Sequence, residues 1–131
     1  MNALVGKKVV AVHLAEDKTK LRFDIEGDKP MFAFVDADCC SETYIESVET
    51  PENLIGVVLQ VEDIDMPDLG LPATRQEVVS YYGCKIHTEK GSCLVDYRNE
   101  SNGYYGGSLV WPGDYGYERK QTVENKWQKI A

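Results

Sequence analysis

Histidine is scarce in this chain: only His13 and His87 occur, and neither falls in a metal-ligand spacing. The motifs HExxH, GxSxG, the P-loop and GxGxxG are all missing. Carboxylates are plentiful, but without an acid–base partner they are ordinary surface groups. The four cysteines, Cys39, Cys40, Cys84 and Cys93, contain no pair at the two-residue spacing of zinc knuckles and redox motifs. No stretch approaches the roughly 18 apolar residues of a membrane span, and MNALVGKKVV carries no long apolar core of a signal peptide. These absences set the first expectations: no metal, no cofactor, no membrane contact, and a cytoplasmic protein whose thiols stay reduced. Cys84 and Cys93 are expected to pack as small hydrophobes. The chain reads as a binding protein and not as an enzyme.

Basic residues are missing from residues 30–74, where ten acidic side chains stand alone: Asp36, Asp38, Glu42, Glu46, Glu49, Glu52, Glu62, Asp63, Asp65 and Asp68. The formal charge of the whole chain is −8. Duplex nucleic acid needs a basic field, so it is excluded as a partner. An anionic ligand would have to draw on the flanks, at Lys7, Lys8, Lys20, Arg22, Arg75, Lys85, Arg98, Arg119 or Lys120. The acidic middle itself reads first as a solvated, solubilising face.

What is present is strand pattern. KKVVAVHL (7–14) alternates with β-branched residues, and KLRFDIE (20–26) alternates cleanly with Leu21, Phe23 and Ile25 on one side. MFAFVD (31–36) completes an expected antiparallel meander. In the next stretch, Ser41 reads as a cap and Pro51 as the first turn of a short helix ending at Gly56. Residues 57–64 return to strand, and 65–74, with Pro67, Gly70 and Pro72, form a loop. Residues 76–88 and 91–98 read as a hairpin joined through Glu89, Lys90 and Gly91. A further strand runs to about Trp111, and residues 121–131 read as a short helix or a frayed, peripheral tail. The length suits one domain, residues 1–131. The expected fold is α+β: mainly antiparallel sheet with one or two short helices.

The densest chemistry lies in residues 97–119, YRNESNGYYGGSLVWPGDYGYER. Tyr97, Tyr104, Tyr105, Tyr115 and Tyr117 offer flat faces on which a base can stack. Asn102 carries the paired donor and acceptor that match an adenine edge. Gly103 allows close backbone approach, and Arg98 and Arg119 can grip phosphate. Together these are parts for holding a nucleotide. Asn102-Gly103 is also an ordinary tight turn, Tyr and Trp are ordinary strand residues, and Gly106-Gly107 suits a bulge.

Asp38-Cys39-Cys40-Ser41 runs into Tyr44-Ile45-Glu46, then come Asn53-Leu54-Ile55-Gly56 and Glu100-Ser101-Asn102-Gly103-Tyr104-Tyr105. In that order, over roughly residues 4–111, the chain resembles the phage anti-Thoeris sponge proteins of the first type. The resemblance implies a phage-encoded protein acting in the host cytosol, one that sequesters a glycosylated cyclic ADP-ribose isomer without degrading it. It implies a homo-oligomer, dimer or hexamer, with ligand pockets at subunit interfaces, and separate pockets for cyclic oligonucleotides. It places the adenine-contacting Asn at Asn102 and the phosphate-gripping Arg at Arg119. The neighbouring Ser101, Gly103, Tyr104, Tyr105, Tyr97 and Arg98 complete the expected ligand site, and Lys20, Arg22 and Arg75 are the expected basic residues of a second pocket. Two rival readings stand beside it. One is an acidic phage inhibitor that acts on a host enzyme by protein–protein contact, and the other is an enzyme that degrades cyclic nucleotides.

Overall fold

Alternating side chains need two surfaces to face, and here they build two packed antiparallel sheets. The computed structural model describes residues 2–38, 40–103, 105–115, 117 and 126–131. Nine strands are found among these residues: β1 (Lys8–Ala15), β2 (Lys20–Ile25), β3 (Met31–Ala37), β4 (Glu42–Glu49), β5 (Gly56–Asp65), β6 (Val78–Thr88), β7 (Gly91–Ser101), β8 (Gly107–Val110) and β9 (Trp127–Lys129). Their order is β4-β7-β6-β5-β1-β2-β3-β8, with β9 also paired to β1, and every pairing is antiparallel.

Only two residue pairs, Lys8 with Val57 and Val9 with Gly56, join β1 to β5. The ribbon folds over at that narrow join. β8, β3, β2, β1 and β9 form one layer, and β4, β7, β6 and β5 form the other. At the far edge the layers meet again, where Thr43 Oγ1 donates to Asp36 O (2.8 Å) and Ile45 N to Lys18 O (2.8 Å). The result is a flattened, partly closed barrel. Its core holds the inward residues of both layers, among them Val12, Phe23, Ala33, Ile45, Ile86 and Val95. Cys84 and Cys93 pack there as free thiols, and burial pushes each up to about 12, far from thiolate reactivity. On the reverse face of the first layer Phe32, Phe34, Val110 and Tyr117 form a second apolar cluster, with Trp127 against it.

The meander and the hairpin occur where the alternation places them. The helical content does not. Strand makes up 57% of the structure, and the only helix among the described residues is a 3-10 turn, Pro51–Leu54. The chain is an all-β domain, and the α+β label is corrected. β4 replaces the expected helix cap at Ser41, whose hydroxyl instead donates to Asp38 O (2.7 Å) in a turn. A bulge between Ile45 and Ser47 breaks the two-residue period of β4, and Thr43, Tyr44 and Ile45 are buried in succession. Alternation was therefore invisible. Of the expected tail, residues 126–131 are neither helical nor frayed. Trp127–Lys129 pair with Ala15–His13, and Ala131 O accepts from Val12 N (2.9 Å). Residues 121–125 lie outside the described ones.

β8 can approach β4 only because residue 107 has no side chain: a Cβ there would collide with Thr43 Oγ1. Gly107→Ala is expected to cost about 1–3 kcal/mol in urea denaturation, because the collision falls at the edge where the layers meet.

Candidate functional site

Residues 66–77 leave β5 and cross the outer face of the second layer before re-entering as β6. On this strap, among the described residues, no backbone–backbone hydrogen bond ties residues 66–76. Side chains hold it instead. Met66 lies on Gly83, where an added Cβ would come within 2.6 Å of its sulfur. Leu71 N donates to Tyr81 Oη (3.0 Å). The far end is fastened to Glu100 of β7, which is fully buried. The amides of Thr74 (2.8 Å), Arg75 (2.7 Å) and Gln76 (3.2 Å) donate to Glu100 Oε1, while Tyr44 Oη (2.7 Å) and Thr74 Oγ1 (3.3 Å) donate to Oε2. Burial alone would raise this carboxyl, but the donors outweigh it and hold it at about 2. Burial, aided by the Glu100 charge, pushes the Tyr44 phenol upward, so it stays a donor.

Between strap and sheet runs a groove of about 440 Å3. Tyr44, Glu46, Val79 and Arg98 form its floor, Leu71, Pro72, Thr74 and Arg75 its wall, and Lys18 of the β1–β2 turn its rim. Three cations thus converge on one concave surface of an acidic protein. The Arg75 guanidinium lies 4.1 Å from the centre of the Tyr44 ring, and that of Arg98 lies 5.3 Å from the Tyr81 ring. The Arg98 side chain is only 13% exposed, and its acidic neighbours stand off: Asp96 at 3.5 Å and Glu46 at 3.8 Å. Its buried Nε has no hydrogen-bond partner. Asp96 is itself raised by burial, with Arg98 opposing. A guanidinium that is desolvated and only loosely paired is a strong anion receptor.

The residues expected to form one ligand site are dispersed. Neighbours on a strand face opposite ways, so Tyr97 points into the core side, stacked on Tyr82 (5.3 Å between centroids), while Arg98 lies in the groove. Asn102 and Gly103 are exposed at the turn after β7. Ser101 is buried, and its hydroxyl accepts from Gly103 N (2.9 Å) and donates to Tyr105 O (3.3 Å), shaping that turn. Tyr105 is 36% exposed. Tyr104 and Arg119 lie outside the described residues. The expected second pocket divides as well. Lys20 stands over Phe34 and Arg22 bonds Asp24 (2.8 Å), both on the reverse face of the first layer, whereas Arg75 is in the groove. Arg98 and Arg75, expected in different pockets, are the two brought together. Lys18 gave no functional signal in the sequence, and Tyr44 and Glu100 stood in the stretches that carry the resemblance without a role of their own.

Two of the three stretches that carry the resemblance, 38–46 and 100–105, meet across the fold through residues within and beside them. Asp38 N donates to Gly106 O (3.1 Å) and Gly106 N to Asp38 Oδ2 (2.9 Å), while Asn99 Nδ2 donates to Ser41 Oγ and Thr43 Oγ1 (both 3.0 Å). Their visible work is to lock β4, β7 and the start of β8 together. Among the described residues no group of three or more metal-ligating side chains occurs, and no helix is long and apolar enough to cross a membrane.

The fold and groove define a small antiparallel β domain that gathers cations beneath a side-chain-fastened strap. The chain belongs to the family DUF7448, a domain of unknown function, which it matches over residues 2–111. No curated protein and no solved structure matches it.

The Glu100 carboxyl is held below its ordinary value of 4.5 in the folded state. Its stabilising contribution is therefore complete above about pH 4.5 and is lost as pH falls toward 2. Glu100→Gln is expected to cost about 2 kcal/mol at pH 7. Because that variant lacks the titrating group, the gap from the parent should narrow in urea denaturation between pH 4.5 and 2. Hydrogen exchange at residues 74–76 should quicken.

Proposed function

We propose that the chain is a sequestering protein, not an enzyme, that binds a cyclic ADP-ribose-type signalling nucleotide in the strap groove and so silences an anti-phage immune signal. The observation that carries this reading is the convergence of Lys18, Arg75 and Arg98 on one concave surface of about 440 Å3. That volume falls in the usual range for small-molecule sites, about 300–1,000 Å3. Two phosphates would take the guanidinium groups of Arg98 and Arg75, and a base would lie against the apolar lining at Pro72 and Val79. The resemblance to the sponge proteins supports the ligand class. Leu71, on the groove wall, is 48% exposed, as is the nearby strap residue Leu69 at 52%. A second copy covering them would close the groove, so we take the binding form to be a homo-oligomer. Sequestration is stoichiometric, so the affinity should be nanomolar, about −12 kcal/mol.

The test is capture and release. The protein is incubated with the products of an activated TIR-domain enzyme, freed of unbound small molecules by filtration and heated, and the released material is analysed by mass spectrometry. Intact cyclic ADP-ribose-type ligand near one per site is the expected result. Cleaved product would make the protein an enzyme, and nothing released from the retained protein would end the nucleotide reading. Arg98→Ala should weaken capture by about 10–100-fold, the weight of a charge-assisted hydrogen bond, with the strand signature of the fold retained in circular dichroism.

A further inference from the structure

The groove has a fixed floor and a loosely held wall. Tyr44, Val79 and Arg98 belong to strands, whereas Leu71 and Pro72 belong to the strap. Two clamps hold the strap at its ends. Met66 is seated on Gly83, and the amides of Thr74, Arg75 and Gln76 donate to Glu100 Oε1. Between the clamps lie residues 67–73.

That span has little to keep it in place. Residues 67–72 are all exposed, and Ala73 is half-buried. Among the described residues no backbone–backbone hydrogen bond joins the span to the sheet. Gly70 N donates to Asp68 Oδ1 (2.8 Å), a bond internal to the span. Leu71 N donates to Tyr81 Oη (3.0 Å), and among the described residues this is the one hydrogen bond from the span to the rest of the protein. Segments with few buried apolar contacts and few bonds open locally at small cost while the ladders around them stay closed. The floor is such a ladder, with eleven consecutive pairs between β6 and β7.

Tyr81 supplies the sheet side of that one bond. It stands directly opposite Arg98 in the β6–β7 register, and the Arg98 guanidinium lies 5.3 Å from its ring. One side chain therefore meets the strap with its hydroxyl and a floor cation with its ring.

We propose that residues 67–73 are a gate over the groove and that Tyr81 is its latch. Ligand enters and leaves when the Leu71–Tyr81 bond opens, and a phosphate spanning Arg98 and Arg75 ties the wall to the floor and keeps the gate shut. This inference rests on the anion-binding reading of the groove, while the latch itself belongs to the unliganded chain. The latch is made in the free closed state and again in the bound closed state. An interaction equal in both states shifts no binding equilibrium. Tyr81 therefore governs how fast ligand exchanges and leaves the affinity alone. It is a positioning residue that acts through the strap.

Tyr81→Phe removes the hydroxyl and keeps the ring beside Arg98. The probe is ADP carrying an N-methylanthraniloyl fluorophore, followed by stopped flow. The variant is expected to raise the association and dissociation rates together, by about 2–10-fold, the weight of one neutral hydrogen bond, with Kd unchanged. Amide exchange read by NMR locates the effect. Leu71 should quicken in the variant while Thr74, Arg75 and Gln76 stay protected, and bound probe should slow Leu71 in the parent. Equal rates in parent and variant would overturn the gate and leave the anion site standing. Faster dissociation with a matching loss of affinity would overturn it too, since Tyr81 would then be a ligand contact. Unchanged Leu71 exchange in the variant would overturn the latch. A parent that does not bind the probe would overturn the two-phosphate reading of the groove, and the gate with it.

Discussion

A carboxylate removed from water is costly unless donors surround it. Glu100 satisfies that demand with the hydroxyl of Tyr44 and three consecutive backbone amides of the strap. The strap makes no backbone ladder of its own, so this buried charge, with Tyr81 and the Met66–Gly83 contact, decides where residues 66–77 lie. The consequence is functional as well as structural. Arg75 is held by its own amide on Glu100, and that anchoring carries its guanidinium over Tyr44. An acid that never touches the groove thus builds the cationic wall of it. The same carboxylate fixes Tyr44 from below, so floor and wall share one anchor.

The other organising constraint is the two-residue period of β7. Its odd positions Cys93, Val95, Tyr97 and Asn99 face the space between the layers, and its even positions Asp96, Arg98 and Glu100 face the strap. One strand therefore serves two chemically opposite surfaces. On the outer side a guanidinium is gathered with Lys18 and Arg75. On the inner side Cys93, Val95 and Tyr97 pack into the core. Eleven consecutive pairs with β6 fix that register, and a slip of one residue would exchange the two surfaces.

Where alternation was strict, the sequence foretold the structure. Leu21, Phe23 and Ile25 face the core, and the β6–β7 hairpin turns at Glu89 and Lys90. The failures have physical causes. β4 carries a bulge and is covered on both faces, so three buried residues in a row hid its period. β9 is only three residues long and gains its stability from pairing with β1, which no local signal records. The site was partly legible. Composition marked the region of Arg98, but grouping it with Tyr97 treated chain neighbours as spatial neighbours, which a strand forbids. Lys18 sits in a turn, and Tyr44 and Glu100 are 56 positions apart. Only the folding of one layer over the other brings such residues together.

The net charge of −8 makes the position of these cations significant. At physiological ionic strength charges are screened beyond about 8 Å. The acidic surface distant from the groove would therefore do little to repel an anion at its mouth. Within the groove the balance is local. Arg98 is largely desolvated and its nearest carboxylates lie at 3.5 and 3.8 Å, too far for strong hydrogen bonds. A phosphate that replaces those long contacts with short ones gains bonding for a guanidinium already removed from water, so much of its desolvation cost was met during folding. On the proposed reading the groove is pre-organised in that sense: folding has already ordered and dried the guanidinium, and a bound phosphate would have mainly itself left to order.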